Sequence, residues 1–106
     1  MIRGTTPQID FHLPFDTSSI KTVWVTFSQY DEELFTVSTE NLTMSGSKII
    51  VKLTQAQTLL LKPEKLLRGS NDIEIQLRIL TNTGDALASN IMRTSAGRIL
   101  KDGEIV

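Results

Sequence analysis

The chain has 106 residues, 40% hydrophobic and 22% charged, with a formal net charge of −1 and no cysteine. That size and balance fit a single globular domain with its own core. They exclude a disulfide framework, a thiolate nucleophile and a cysteine-ligated metal.

Residues 1–7 are polar, with Gly4 and Pro7, and read as an N-terminal arm or a frayed end. They lack the apolar stretch of a secretory leader, and the absence of cysteine favours folding in a reducing cytoplasm. From Gln8 to Leu13 the residues Ile9, Phe11 and Leu13 alternate with Asp10 and His12, a first strand that Pro14 ends. Asp16 suits the cap of a single helical turn. Residues 22–28 form a second strand: Val23, Val25 and Phe27 on one face, Thr22, Trp24, Thr26 and Ser28 on the other. Residues 29–33 turn the chain, and Phe35 and Val37 supply the dry face of a third strand over 33–38. Leu42-Thr-Met44 is open between a loop and a short strand of its own, and Ser45-Gly46 marks a turn.

Residues 48–53 alternate Ile49, Val51 and Leu53 against Lys48, Ile50 and Lys52. Thr54 followed by Gln57 matches a capping box, which predicts helical turns over 55–60, with Leu59, Leu60 and Leu61 plugging one end of the core. Lys62-Pro63 stops that turn. Pro63 opens another over 64–67 that Gly69 ends, and Ser70-Asn-Asp72 leads into the next strand. The clearest strand is 73–80. Ile73, Ile75, Leu77 and Ile79 point one way, and Glu74, Gln76 and Arg78 the other. A tight hairpin follows at 82–85, with Gly84 at positive φ. The return strand over 86–93 patterns poorly, so it is either covered on both sides or bulged. Residues 97–106 read as a C-terminal tail or an edge strand. Six or seven strands with turn signals between them predict an all-β, immunoglobulin-like two-sheet sandwich over residues 8–96, with one or two short helical turns around 55–67.

Candidate chemistry is sparse. His12 is the single histidine and follows the strand alternation, so it reads as an outward polar residue rather than a base or ligand. No Gly-x-Ser-x-Gly elbow and no glycine-rich phosphate loop is present. The acids Asp31, Glu32 and Glu33 match no metal-loop spacing and read as a solvated turn. Lys62, Lys65 and Arg68 are interleaved with Glu64 and make no basic stripe. No apolar run reaches the ~18 residues of a membrane span. No enzyme activity, cofactor, metal, nucleic acid or membrane partner is therefore expected. Trp24 lies on a nominally wet face: either a terminal arm or the 59–67 segment roofs it, or it anchors a partner or ligand. Ile50 is a second apolar residue on a wet face. The ends carry Ile2, Arg3, Ile99, Leu100, Ile105 and Val106, and the apolar ones are more than a purely solvated tail would need. These eight residues are the candidate interaction set, with the sandwich serving only as a scaffold.

Several stretches together carry a family resemblance. They are Met1-Ile-Arg-Gly-Thr-Thr-Pro7 with Phe11-His-Leu-Pro14, Val25-Thr-Phe-Ser-Gln29, Val51-Lys-Leu-Thr-Gln55 with Thr58, Glu74-Ile-Gln-Leu-Arg78, and Gly84-Asp-Ala-Leu-Ala-Ser89. The chain resembles small proteins encoded in the structural gene blocks of phages and prophages of Gram-positive gut bacteria. The order of these motifs is similar to that in the N-terminal β-sandwich of phage upper-baseplate proteins. The resemblance covers most of the chain and is weakest over 62–72, a link that looks longer than the family's usual one. It carries over no functional residue. It implies a virion structural role in head, neck, tail or baseplate, with copies of the chain and other phage structural proteins as partners. The expected location is the virion, and the host bacterial cytoplasm during assembly. The alternative of a different class is a carbohydrate-binding sandwich that recognises host glycans, with Trp24 and Tyr30 as stacking platforms.

Overall fold

The computed structural model describes residues 1–62, 73–97 and 99–106. The expected turn over 64–67, its stop at Gly69 and the lead-in at 70–72 lie outside the described residues. The fold is the all-β two-sheet sandwich expected. Its elements are β1 (Gln8–His12), β2 (Ile20–Gln29), β3 (Glu32–Ser38), β4 (Thr43–Ser45), β5 (Lys48–Lys52), α1 (Gln55–Leu59), β6 (Ile73–Thr81), β7 (Ala86–Ala88) and β8 (Met92–Thr94). Leu42-Thr-Met44 thus yields a short strand, β4, and the return segment divides into β7 and β8.

One sheet has the order β1-β5-β4. The other has the order β3-β2-β6-β7, with β8 also on β6. All pairings are antiparallel. The immunoglobulin likeness holds at the level of two facing layers. In connectivity, β2 and β3 are hairpin neighbours within one sheet, where an immunoglobulin domain divides its second and third strands between sheets.

The period-two alternation explains the core. Val23, Val25 and Phe27 of β2 stand opposite Ile79, Leu77 and Ile75 of β6, and all six are buried. Ile49 and Val51 of β5 and Phe11 of β1 close the core from the other sheet. Phe27 and Phe35 stack with ring centroids 4.6 Å apart, which adds to their area burial. Full burial of each such side chain contributes roughly 1.5–3 kcal/mol before entropy costs.

Local signals set the connections. Asp16 accepts from the Ser18 N–H and caps a short 3-10 turn at Thr17–Ser19. These hydrogen bonds hold its carboxyl below its ordinary pKa, against a small opposing effect of desolvation. The Thr54–Gln57 capping box is complete: the Thr54 hydroxyl accepts from the Gln57 N–H, and the Gln57 side chain accepts from the Thr54 N–H. Of the three leucines after α1's first turn, only Leu61 plugs the core; Leu59 is half-buried and Leu60 is exposed, because the helix turns it outward. Gly84 has φ +92 in its hairpin, as expected.

Two features depart from the sequence reading. Tyr30 and Asp31 both take positive φ (53 and 59) at the β2–β3 tip, without glycine or asparagine. Two successive left-handed residues match the twist of flanking strands, so the long β2–β3 pairing imposes the turn. Gln29, just before it, is fully buried and exchanges two hydrogen bonds with the Lys62 backbone, at 3.0 and 2.6 Å.

The poorly patterned return strand is bulged rather than covered. Between the pairs Arg78↔Ala88 and Ile75↔Met92, residues 89–91 face only residues 76–77. Ser89 fills the break: its N–H donates to the Leu77 carbonyl, and its hydroxyl accepts from the Leu77 N–H. Ala86, Leu87 and Ala88 are exposed.

Residues 1–7, the N-terminal arm, are tied into their own chain. The Met1 amine donates to the Ser95 carbonyl, the Gly97 N–H to the Met1 carbonyl, and the Arg3 N–H to the Gly97 carbonyl. Met1 packs on the core, and Ala96 beside this junction is fully buried. The C-terminal segment is a tail, not an edge strand: Gly97 makes a single parallel bridge to Ile2, and none of residues 99–106 is in a strand.

Candidate functional site

Two separate surfaces stand out, one on a sheet face and one where the termini meet. The first is built on β2 and β6. Trp24 lies directly across from Arg78, and the guanidinium sits over the indole, 5.6 Å from its centroid. Even and odd positions alternate across the sheet, so both side chains fall on its outer face with Thr22, Thr26, Gln76 and Leu80. Trp24 is 46% exposed, so no arm roofs it. Beside it a groove of about 230 Å³ runs from Trp24 and Arg78 to Ala86 and Leu87 at the sheet edge. On the other flank Thr26, Thr36 and Glu33 form a hydrogen-bonded row: Thr26 to Thr36 at 3.1 Å, and the Thr36 hydroxyl donating to Glu33 at 2.7 Å. Arg78 makes no ion pair among the described residues.

The second surface is where the termini meet α1. The Arg3 side chain is largely buried. It donates to the carbonyls of Leu61 (2.7 Å) and Leu59 (2.9 Å) and pairs with Asp102 at 3.2 Å. The Gln55 side chain clamps the tail as a strand partner would: the Ile105 N–H donates to its oxygen and its amide donates to the Ile105 carbonyl, at 2.7 and 3.1 Å. Ile2 lies over Gly97, where a Cβ would meet its Cγ1 at 3.2 Å, and Ile99 lies over Gly4 in the same way. The clamps are polar and act on backbone. They leave the apolar side chains of the tail outside: Leu100 and Ile105 are 96% and 81% exposed, and Val106 is exposed too.

The candidate residues therefore divide. Ile2, Arg3, Ile99, Leu100, Ile105 and Val106 come together at the terminal surface. Trp24 belongs to the groove. Ile50 joins neither: it is half-buried on the far face of the small sheet, opposite Asp10 and Thr43. Arg3 is a structural clasp rather than an exposed contact. Arg78, Leu87, Gln55 and Asp102 had no place among the candidates. Arg78 was legible only as an outward residue until β2 and β6 were aligned, which sets it against Trp24.

No group of three or more His, Asp or Glu among the described residues is arranged to hold a metal ion. No helix among them is long and apolar enough to cross a membrane. No family model, curated protein or solved structure matches the chain.

Proposed function

We propose that this chain is a non-enzymatic structural subunit of a phage virion, an assembly module whose principal contact is its C-terminal tail. One observation carries this reading. Leu100, Ile105 and Val106 are almost wholly exposed, yet the backbone of the tail that bears them is held by the two Gln55–Ile105 hydrogen bonds, with Arg3–Asp102 as a weaker exposed contact. A solvated linker needs neither the anchors nor the apolar side chains. A tail held in place has already met part of the ordering cost of ~1–2 kcal/mol per residue, so more of its burial energy is left for binding. Partners are copies of the chain and other virion proteins, and the chain is found in the particle and, during assembly, in the host bacterial cytoplasm.

The glycan-binding alternative asks for open aromatic faces. Both aromatics instead carry a cation: Arg78 over Trp24 and Lys62 over Tyr30, at 5.6 and 5.4 Å. They are also six residues apart along one strand and its turn, ~20 Å. This weighs against a shared sugar platform.

The test substitutes Leu100, Ile105 and Val106 together with Asp. These sites are exposed, so the melting temperature stays within ~0.5 kcal/mol equivalent of the parent. Light scattering should show the parent associating and the variant monomeric, and an antibody to the chain should detect it in purified particles. A parent that stays monomeric and is absent from particles would refute the reading.

A further inference from the structure

The groove beside Trp24 and the tail are complementary, and within one chain the tail is tied elsewhere, by Arg3 and Gln55. Arg3 also bonds Gly97, just past β8, which pairs with Ile73–Ile75, and the groove lies five to seven residues beyond Ile73 along β6, at Arg78–Leu80. Those steps span ~16–23 Å. We infer that the groove formed by Trp24, Arg78, Leu80 and Leu87 receives the tail of a second copy, residues 104–106, with Glu104 on Arg78 and the Ile105 and Val106 side chains against Trp24 and Leu87.

The charges carry the choice of occupant. Arg78 is a cation with no ion pair among the described residues, and its rigid fork is held over the indole. Glu104 is an acid with none among them either, next to two exposed aliphatic residues, on a segment whose backbone is clamped at Ile105. An acid followed by two aliphatics meets a fork followed by an apolar groove, in the same order. Gln55 holds Ile105 by its backbone alone, so the tail can stay clamped to its own chain while its side chains enter the neighbour. The contact is heterologous, the tail of one copy on the sheet face of the next. Such contacts repeat into a closed ring or an open filament.

This inference rests on the tail-driven assembly proposed above, and the full-length chain can separate the two. Arg78→Glu alone and Glu104→Arg alone each place like charges together, and each should weaken association at least ~10-fold. Mixing the two variants restores opposite charges at every junction, as does carrying both substitutions in one chain; both should regain association. Trp24 is the single tryptophan, so its emission should shift with association. Single substitutions without effect, where the triple Asp tail abolishes association, would overturn the groove and leave tail-driven assembly standing. Loss without recovery on mixing would overturn the pairing. A parent monomeric at all concentrations would remove both. Emission that responds to an added saccharide, with association indifferent to Arg78→Glu, would give the groove to a glycan instead.

Discussion

Arg3→Ala separates an N-terminal arm that belongs to the fold from one that merely precedes it. The guanidinium donates two charge-assisted hydrogen bonds to the carbonyls of Leu61 and Leu59, and its side chain is only 15% exposed. Bonds of this type are worth ~1.5–3 kcal/mol each. Truncation opens a path for water to the two carbonyls, which returns part of that energy, so the expected loss is ~2–4 kcal/mol. The third contact adds little: Asp102 is 74% exposed, and an exposed pair is worth ~0–1 kcal/mol. For a domain of this size each kcal/mol moves the melting temperature by roughly 4–8 °C, so Arg3→Ala should melt at least ~8 °C below the parent. Asp102→Ala should melt within a few degrees of it. Arg3→Lys should fall in between, because an ammonium cannot match the fork across two carbonyls. Urea titration followed by circular dichroism gives the same ordering through the midpoint at constant slope. If Arg3→Ala and Asp102→Ala melt together with the parent, the arm is not part of the folded body and the clasp is refuted.

Leu77→Ala removes a side chain 2% exposed at the centre of the β2–β6 pairing and should cost ~2–5 kcal/mol by chemical denaturation; a cost below ~1 kcal/mol would show that the core does not close over it. Gly84→Val should destabilise by at least ~1 kcal/mol although nothing lies within 4 Å of the new Cβ, because φ +92 resists a β-branched residue; an unchanged melt would refute the turn. Asp16 has a lowered folded pKa, so the stability it lends is present above its unfolded pKa and lost as pH falls through the folded value. Its carboxyl should titrate by NMR below the same group in a short peptide, and Asp16→Asn should remove that part of the acid dependence; equal midpoints would refute the cap.

The core was readable because strand period and burial share one rule. Val23, Val25 and Phe27 could face only one way, and so could Ile73, Ile75, Leu77 and Ile79. The Thr54–Gln57 box and the Gly84 turn were readable because their chemistry is local. What was hidden depended on partners distant in sequence. Arg3 looks like a solvated charge until the carbonyls at the end of α1 are placed beside it. Gln29 sits in a polar stretch, and its burial is intelligible once the Lys62 backbone is placed beside it. The turn at 29–33 is legible from its acids, but not the left-handed backbone of Tyr30 and Asp31, which the strands on either side impose. The alternation alone puts Trp24 on a wet face, but the cation over it depends on the β2–β6 register. The apolar residues of the tail show in its composition, but its anchoring by Gln55 does not.

The break at residues 89–91 has a bearing on how copies can meet. An uninterrupted edge would offer a foreign strand a long row of free backbone groups, and any chain with β propensity could add to it in several registers. Here the edge is cut into two runs of three residues, with Ser89 already occupying the backbone of Leu77 between them. At this edge a visiting strand finds too few consecutive partners to nucleate a ladder. Strand addition is thereby directed away from the β7–β8 side, where recognition passes to side chains, and towards the continuous seven-residue edge of β3.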